Sequence, residues 1–220
     1  MILEADNIEL SFDRKTILRG IYVRAETGKI TGILGRNGCG KTSLLRIIFG
    51  SLTPKYKSIR KDGKHQKRNL YLGRDIAYLP QHQLLPNSLK LGSVFQLFGA
   101  NWTEFLNLFD AFKGYASAHP NALSSGELRI VETYLILTSN KKIILLDEPF
   151  SFIAPVYIEK FKTIIHKKKK DSVIIVTDHF YRDILEISDC IYFLKNGYSK
   201  EIRTKKDLEE EGYINLDPSD

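Results

Sequence analysis

The sequence has few of the features that place a chain in a membrane or in an oxidising compartment. Its 220 residues include only two cysteines, Cys39 and Cys190, too few for a disulfide framework, so a reducing compartment is expected. No uncharged apolar run approaches the ~20 residues that are needed to span a bilayer. The first residues, MILEADNIEL, carry acids where a signal peptide carries bases. We therefore expect a cytoplasmic protein.

Internal repeats and low-complexity segments are also lacking, and the hydrophobic share of 43% is enough for a packed core. The length fits one large domain, or one core with a small inserted subdomain. The net charge is +7, and the bases concentrate in Lys55–Arg68 and Lys167–Lys170. We interpret the first cluster as a solvated hairpin and the second as a helix C-terminus, where cations are favourable. No stacking aromatics are interleaved in a readable pattern, so nucleic acid is not the expected partner.

A glycine-rich stretch, GRNGCGKTS at Gly35–Ser43, fits the pattern G-x-x-x-x-G-K-[ST]. A short β-rich apolar run precedes it and apolar residues at helical spacing follow it, so we predict a loop between a strand and a helix. Because glycine has no Cβ, the backbone N–H groups of such a loop can turn inward and hold phosphate oxygens. Lys41 is expected to reach the β- and γ-phosphates, and Thr42 to offer its hydroxyl to Mg²⁺.

A pair of acids ends the run KIILLDE at Lys142–Glu148. Consecutive apolar residues predict a fully buried parallel strand, and such strands deliver ligand-binding groups at their carboxyl ends. Asp147 is expected to hold Mg²⁺ together with Thr42, and Glu148 to polarise the attacking water. The alternative is a charged strand end without a chemical role.

Two other predicted strands also end at polar side chains. His179 follows an apolar strand and could reach a γ-phosphate at the same sheet edge, although a lone histidine is often structural. Gln81 follows another strand and precedes a loop, where it is well placed to act in the site or to be merely solvated. Leu84 and Leu85 come next, and their exposure would indicate a surface for a partner.

Of three further stretches, two leave alternatives open. Ser88–Lys113 is aromatic and helical in character, which predicts a small helical insertion. LSSGE at Leu123–Glu127 precedes a helical run, so Ser124 and Ser125 are either an anion site at a helix N-terminus or a plain N-cap. Phe12 is either a core residue or a platform on which a base stacks.

Five pieces follow one another along the chain: GRNGCGKTS, Gln81, LSSGE, IILLDEP and His179. Together they resemble the nucleotide-binding domain of the ABC ATPases, and the resemblance extends from about Met1 to Glu211. It implies the α/β fold class, with a P-loop NTPase core that has a mainly parallel sheet and helices on both faces. It also implies an N-terminal antiparallel β-subdomain and an inserted α-helical subdomain at about 88–138, within a single domain over residues 1–220.

The resemblance implies a role for each matching residue, with ATP and Mg²⁺ as cofactors. The catalytic group consists of Glu148, His179, Lys41 and Gln81, and the Mg²⁺ group of Thr42, Gln81 and Asp147. The nucleotide-contacting group consists of Phe12, Gly35, Arg36, Asn37, Gly38, Cys39, Gly40, Lys41, Thr42, Ser43, Ser124, Ser125, Gly126 and Glu127.

In the family that the chain resembles, two such domains pair head to tail, and LSSGE of one closes over ATP on the glycine loop of the other. The implied partners are therefore a second copy or a similar ATPase subunit, and a separate transmembrane permease subunit that docks near Gln81, Leu84 and Leu85. The implied location is the inner face of the cell membrane. The alternatives are a soluble relative that acts on ribosomes or nucleic acid, and a slow-turnover regulatory subunit.

The sequence departs from the family pattern at a few positions. Ser125 stands where a glycine is usual, Phe150 where threonine is common, and Ala154 where an aspartate is usual. A Cβ at position 125 could crowd the approach to phosphate. Cys39 lies inside the glycine loop, where it either makes ATP binding sensitive to thiol reagents or serves as a small spacer.

Overall fold

The computed structural model describes residues 1–13, 15–179 and 181–213. In chain order the strands and helices are β1 (Ile2–Phe12), β2 (Lys15–Glu26), β3 (Ile30–Leu34), α1 (Lys41–Phe49), β4 (Tyr56–Lys61), β5 (Lys64–His65), β6 (Ile76–Leu79), α2 (Leu91–Phe98), α3 (Trp102–Leu108), α4 (Ser125–Thr138), β7 (Ile143–Asp147), α5 (Pro155–Lys168), β8 (Val173–Thr177), α6 (Tyr181–Ile187), β9 (Cys190–Lys195), β10 (Tyr198–Ile202) and α7 (Lys205–Glu210). Short 3₁₀ turns lie at Leu70–Gly73, Asp110–Phe112, Tyr115–Ser117 and Pro120–Ala122.

The strands form two sheets. The larger sheet has the order β10-β9-β3-β8-β7-β6, in which only the β9–β10 pair is antiparallel. The smaller sheet has the order β2-β1-β4-β5 and is antiparallel throughout. The basic stretch at 55–68 supplies the β4–β5 hairpin of the smaller sheet, as its composition predicts.

Both faces of the parallel sheet are covered, which explains why the central strands β3, β7 and β8 are buried at every position and mostly apolar. In β7, Ile143 and Leu145 pack with α1 and the antiparallel sheet. The alternate residues Ile144 and Leu146 point to the other face, where α4, α5 and α6 contribute to the apolar cluster. Because side chains alternate along a strand, one short sequence supplies both clusters.

The helical segment between β6 and β7 is small and aromatic. Phe105 lies at its centre, with ring centroids of Phe95, Phe109 and Phe112 at 5.0–5.1 Å. Phe109 in turn lies 5.2 Å from Phe161 of α5, so the segment shares one apolar cluster with the helices of the main sheet. Among the described residues, no helix has the length and apolar character that crossing a membrane requires.

The sequence predictions for the elements agree with this fold, with one exception. Helix α1 ends at Gly50, whose φ of 104° is the left-handed conformation typical of a glycine C-cap. The exception concerns Leu85, whose exposure would have indicated a surface for a partner: Leu85 is only 2% exposed and belongs to the core. Its backbone N–H is held by a carboxylate from α4, which draws the loop inward. Phe180 and the polar end of the chain from residue 214 lie outside the described residues.

Candidate functional site

The predicted site residues gather at the carboxyl ends of neighbouring parallel strands. The loop Gly35–Ser43 follows β3, Asp147 ends β7, and His179 and Gln81 follow β8 and β6. These strands are adjacent in the order β3-β8-β7-β6. The topology therefore brings together groups that are far apart in sequence, as expected for a ligand site in an open α/β sheet.

Lys41 lies inside the glycine loop rather than in solvent. It is 6% exposed, and its Nζ donates to the Gly35 carbonyl oxygen at 2.7 Å. The residue before it, Gly40, has a φ of 106°, and a Cβ there would lie 2.7 Å from Leu18 Cδ2. Only glycine fits this position, and it lets α1 begin immediately at Lys41. The Lys41 ammonium group is thereby held against the backbone at the start of the loop.

Asp147 is fully buried and is surrounded by hydroxyl groups. Its Oδ1 accepts from Thr42 Oγ1 at 3.2 Å and from Thr177 Oγ1 at 3.1 Å, and its Oδ2 accepts from Tyr78 OH at 3.0 Å. Burial raises the pKa of Asp147, and the three hydrogen bonds oppose this shift. Carboxylate and hydroxyl oxygens are the ligands that Mg²⁺ prefers. The donor set of Asp147 and Thr42 therefore fits the predicted ion.

The carboxylate of Glu148 lies close to the side chains of Gln81, Ser151 and His179. Its Oε2 accepts from Gln81 Nε2 at 3.0 Å and from Ser151 Oγ at 3.3 Å, and it lies 3.6 Å from His179 Nδ1. Its φ is 53°, a left-handed conformation that is unusual for a residue other than glycine. Its backbone N–H donates to the Thr177 carbonyl oxygen at 2.8 Å. The carboxylate thus projects from a strained strand end towards two of the residues that the sequence singled out.

A cleft of about 530 Å³ joins these groups. Its wall includes the loop residues 37–38 and 40–43 together with Phe12, Gln81, Glu148 and His179. Phe12 is 50% exposed, so the core interpretation of this residue is wrong. An exposed aromatic ring at one end of the cleft is suited to stacking on a base.

Two loop residues point away from this cleft. Arg36 and Cys39 lie on the wall of a neighbouring cleft, and Arg36 Nη2 donates to the Gly212 carbonyl oxygen at 3.0 Å. The Cys39 N–H donates to the Arg36 carbonyl oxygen at 3.1 Å, so it stabilises the turn. Burial raises the pKa of the Cys39 thiol, which favours the spacer interpretation over a reactive thiol. The Arg36 and Cys39 side chains therefore line a different cleft, and contact of these two residues with nucleotide stays a prediction that rests on their backbone N–H groups.

The LSSGE motif forms the N-terminus of α4. Ser124 is the N-cap: its Oγ accepts from the Glu127 N–H at 3.3 Å, and its own N–H donates to Glu127 Oε2 at 2.8 Å. This is a capping box, so the N-cap interpretation describes the chain as it stands. Ser125 lies on a second cleft with Gln81, Glu148 and His179. None of the residues on that cleft belongs to Gly35–Ser43.

Gly126 lies where a larger residue would not fit. A Cβ at this position would lie 2.4 Å from the Phe152 carbonyl oxygen. Phe152 itself has a φ of 65° and is 80% exposed. The start of α4 therefore packs tightly on the backbone that follows Glu148.

Sequence reasoning missed several side chains that organise the site. Tyr78 and Thr177 hold Asp147, and each is the last or next-to-last residue of a strand beside β7. Arg129 is 5% exposed and donates to the Glu148 carbonyl oxygen. The sequence does contain a sign of this role: Arg129 and Glu132 are the two charged residues in an otherwise largely apolar helical run. A charged residue in such a run is either exposed or paired.

Known proteins resemble this chain in sequence and in fold. A family model described as "ABC transporter" matches residues 18–151. An Fe(3+) ions import ATP-binding protein of Rhodococcus jostii is 29% identical over 94% of this chain, and the chain spans 63% of the length of that relative. A lipopolysaccharide export system ATP-binding protein of Acidithiobacillus ferridurans is 26% identical over 89% of this chain and 87% of its own length. A solved ATP binding subunit of an ABC transporter has the same fold, with a TM-score of 0.80 at 21% identity over 97% of this chain and 94% of that one.

Proposed function

Because this chain belongs to the ABC transporter family, whose ATP-binding domains are ATPases, we propose that it powers a membrane transporter through a separate permease subunit. The observation that carries the proposal is the hydrogen bond from Gln81 Nε2 to Glu148 Oε2 at 3.0 Å. It joins an exposed loop, which a partner can reach, to the carboxylate proposed to act in hydrolysis. Movement of that loop would therefore displace the Glu148 carboxylate.

ATP is proposed to lie along the cleft with its base on Phe12 and its phosphates on the glycine loop. Lys41 and the backbone N–H groups of residues 37–43 would neutralise the phosphate oxygens, aided by the N-terminal dipole of α1. In the free chain Lys41 Nζ bonds to the Gly35 carbonyl oxygen. Oxygens of the γ-phosphate would compete with the Gly35 carbonyl oxygen for hydrogen bonds from Lys41 Nζ. The ammonium charge would then lie beside the negative charge that develops on the γ-phosphate during hydrolysis.

Thr42, Asp147 and Gln81 are the residues proposed to hold Mg²⁺ at this site. A bound Mg²⁺ would supply charge neutralisation between the β- and γ-phosphates. The hydroxyl groups of Tyr78 and Thr177 would keep the Asp147 carboxylate in place, and Asp147 would act directly or through water.

Glu148 is proposed to position and deprotonate the attacking water. Gln81 Nε2 donates to Glu148 Oε2 at 3.0 Å, and His179 Nδ1 lies 3.6 Å from the same oxygen. Such general-base groups contribute typically about 10²–10⁴-fold to rate. His179 would stabilise the γ-phosphate after the proton has moved to Glu148.

A second copy of the chain, or a similar ATPase subunit, is proposed to complete each site. Ser124, Ser125, Gly126 and Glu127 form a helix N-terminus that lies away from the glycine loop of the same chain. The N–H groups there would face ATP on the partner's loop in a head-to-tail pair. The whole chain, including its inserted helical segment, would act as one ATPase domain within that pair.

The permease is proposed to dock on the exposed part of the loop at residues 81–83, beside the helical segment. Because Leu85 is buried, it is not part of this surface. The chain would then sit on the inner face of the cell membrane without entering it. The names of the relatives, one for import and one for export, support transport but leave its direction open.

The test of the proposed function is ATPase stimulation by a membrane partner. The chain is purified together with any co-purifying membrane protein, and the ATPase rate is measured before and after removal of that protein. We expect the rate to fall on removal and to recover on reconstitution. A rate that responds instead to RNA or DNA, in a salt-dependent manner, would favour the soluble alternative and contradict transport.

Replacing Phe12 by alanine is expected to weaken ATP binding roughly 5- to 150-fold, because base stacking on an aromatic ring is worth about 1–3 kcal/mol. The measurement is titration with a fluorescent ATP analogue. Phe12→Trp should retain affinity, since it keeps a ring. Tyr56→Ala is the matched control, because Tyr56 is 51% exposed on the same sheet but does not line the cleft. Equal affinities for Phe12→Ala and the control would contradict the stacking role.

A further inference from the structure

A buried ion pair on α4 touches both of the loops that carry the proposed hydrolytic groups. Arg129 and Glu132 are 5% and 2% exposed, and Arg129 Nη1 lies 3.8 Å from Glu132 Oε2. Burying two charges is costly unless hydrogen bonds satisfy them. Here those hydrogen bonds go to backbone groups outside α4, so the pair fixes α4 to other parts of the site.

Arg129 holds the backbone at two places. Its Nε and Nη2 donate to the Glu148 carbonyl oxygen at 3.2 and 2.9 Å, and Nη2 also donates to that of Asp147. Its Nη1 donates to the Pro80 carbonyl oxygen at 2.6 Å. Pro80 immediately precedes Gln81. One guanidinium group therefore binds both the strand end that carries Glu148 and the start of the Gln81 loop.

Glu132 holds the other end of the same loop. Its Oε1 accepts from the Leu84 N–H at 2.6 Å and from the Leu85 N–H at 3.0 Å. The exposed loop at residues 81–83 is thus hydrogen-bonded to α4 at both of its ends. A movement of α4 would therefore move the whole loop, including Gln81.

The bonds from Arg129 also bear on the strained backbone of Glu148. A φ of 53° persists in a residue other than glycine only where its surroundings impose it. The Glu148 N–H donates to the Thr177 carbonyl oxygen, and the Glu148 carbonyl oxygen accepts from Arg129 and, at 3.3 Å, from the Ser151 N–H. Without Arg129 the carbonyl oxygen keeps only the longer bond to Ser151, so the backbone of Glu148 is held less firmly and its carboxylate is expected to shift relative to Gln81.

We propose that Arg129 and Glu132 are a positioning pair, through which α4 sets the place of the Glu148 carboxylate relative to Gln81. The inference rests on the proposed roles of Gln81 and Glu148. Because α4 begins with the LSSGE motif, its position would depend on what binds that motif. The pair is then the physical link between the motif and the hydrolytic carboxylate within one chain.

The test is the ATPase kinetics of Arg129→Lys, which keeps the charge but has no planar fork that can bind three carbonyl oxygens. We expect kcat to fall about 10- to 100-fold, as displacements of a reacting group near 1 Å do. The Kd for ATP should change by less than about twofold, because the glycine loop is untouched. Glu132→Gln should lower kcat about fivefold, since it keeps an acceptor for the loop but loses the charge.

A double-mutant cycle separates positioning from general stability. In a Glu148→Gln background, Arg129→Lys should change the residual single-turnover rate by less than about twofold. Equal falls in both backgrounds, or an unchanged kcat in the wild-type background, would overturn the inference. If Arg129→Lys does not fold, as judged by the fluorescence of the single tryptophan, Trp102, then Glu132→Gln is placed in the same cycle.

The matched control is Lys162→Gln. Lys162 is also 6% exposed and bonds three carboxylates between α5 and α6, at 2.6–2.9 Å. Its loss should lower stability and leave kcat of the folded protein unchanged. If Glu148→Gln itself retained turnover, the proposed role of Glu148 in hydrolysis would fail; if it lost turnover while the cycle was additive, only the positioning inference would fail.

Discussion

Turnover of ATP by the Glu148→Gln variant is expected to be about 10²–10⁴-fold slower than that of the unchanged chain. Glutamine has nearly the same shape as glutamate, and its carbonyl oxygen can still accept from Gln81 Nε2. It cannot take a proton from water. ATP binding should persist, because the glycine loop and Phe12 are unchanged, and loss of a negative charge near the γ-phosphate favours the bound state. The measurement is steady-state phosphate release together with ATP affinity.

The same variant tests the pairing of two chains. Since ATP would bind without being hydrolysed, we expect a dimer in the presence of ATP and Mg²⁺, measured by size-exclusion chromatography with light scattering. Glu159→Gln is the control, because the Glu159 side chain is 65% exposed on α5 and does not line the cleft. Turnover at the wild-type rate in Glu148→Gln would remove Glu148 from the mechanism.

Lys41→Met is expected to weaken ATP binding roughly 30- to 4,000-fold, because truncating one partner of a buried charge-assisted contact costs about 2–5 kcal/mol. Methionine keeps most of the side-chain length, so the loop is not emptied. The Gly35 carbonyl oxygen loses its 2.7 Å partner, and a loss of stability of about 1–3 kcal/mol is expected as well. Affinity is measured by titration with a fluorescent analogue, and stability by denaturant unfolding.

Lys64→Ala is the control for this variant, since Lys64 is exposed on β5 and changes the net charge equally. A general electrostatic effect would weaken both variants alike, whereas the proposed contact requires that only Lys41→Met lose affinity. Affinity within about twofold of the unchanged chain for Lys41→Met would contradict the placement of the phosphates.

The parts of the site that were predictable are those in which local sequence carries the geometry. The glycine loop, α1 and Asp147 each lie within a few residues of a strand whose apolar pattern is plain. Parallel strands then bring their carboxyl ends together without any further information. For this reason Gln81 and His179 could be placed near Glu148 before any contact was known.

The parts that were not predictable depend on contacts between distant backbone groups. Arg129 acts through backbone carbonyl oxygens that lie 18–49 positions away in sequence. Every residue has a carbonyl group, so the residue types do not indicate which ones Arg129 will bind. The Leu85 N–H is held by the carboxylate of Glu132, so the burial of Leu85 could not be predicted from the sequence for the same reason. Phe12 was ambiguous because an exposed and a buried phenylalanine look alike at a strand end.

The capping box of α4 has a consequence for the order of events. The hydrogen bonds from the Ser124 N–H and hydroxyl hold the pKa of Glu127 below its usual range, so this carboxylate is ionised at neutral pH. A helix start that already carries an anion repels a second one unless positive charge arrives with it. Free nucleotide should therefore load first onto the loop that contains Lys41. In the proposed head-to-tail pair, the LSSGE motif of the other chain would then accept only a nucleotide already neutralised by Lys41, so pairing is expected to follow ATP binding.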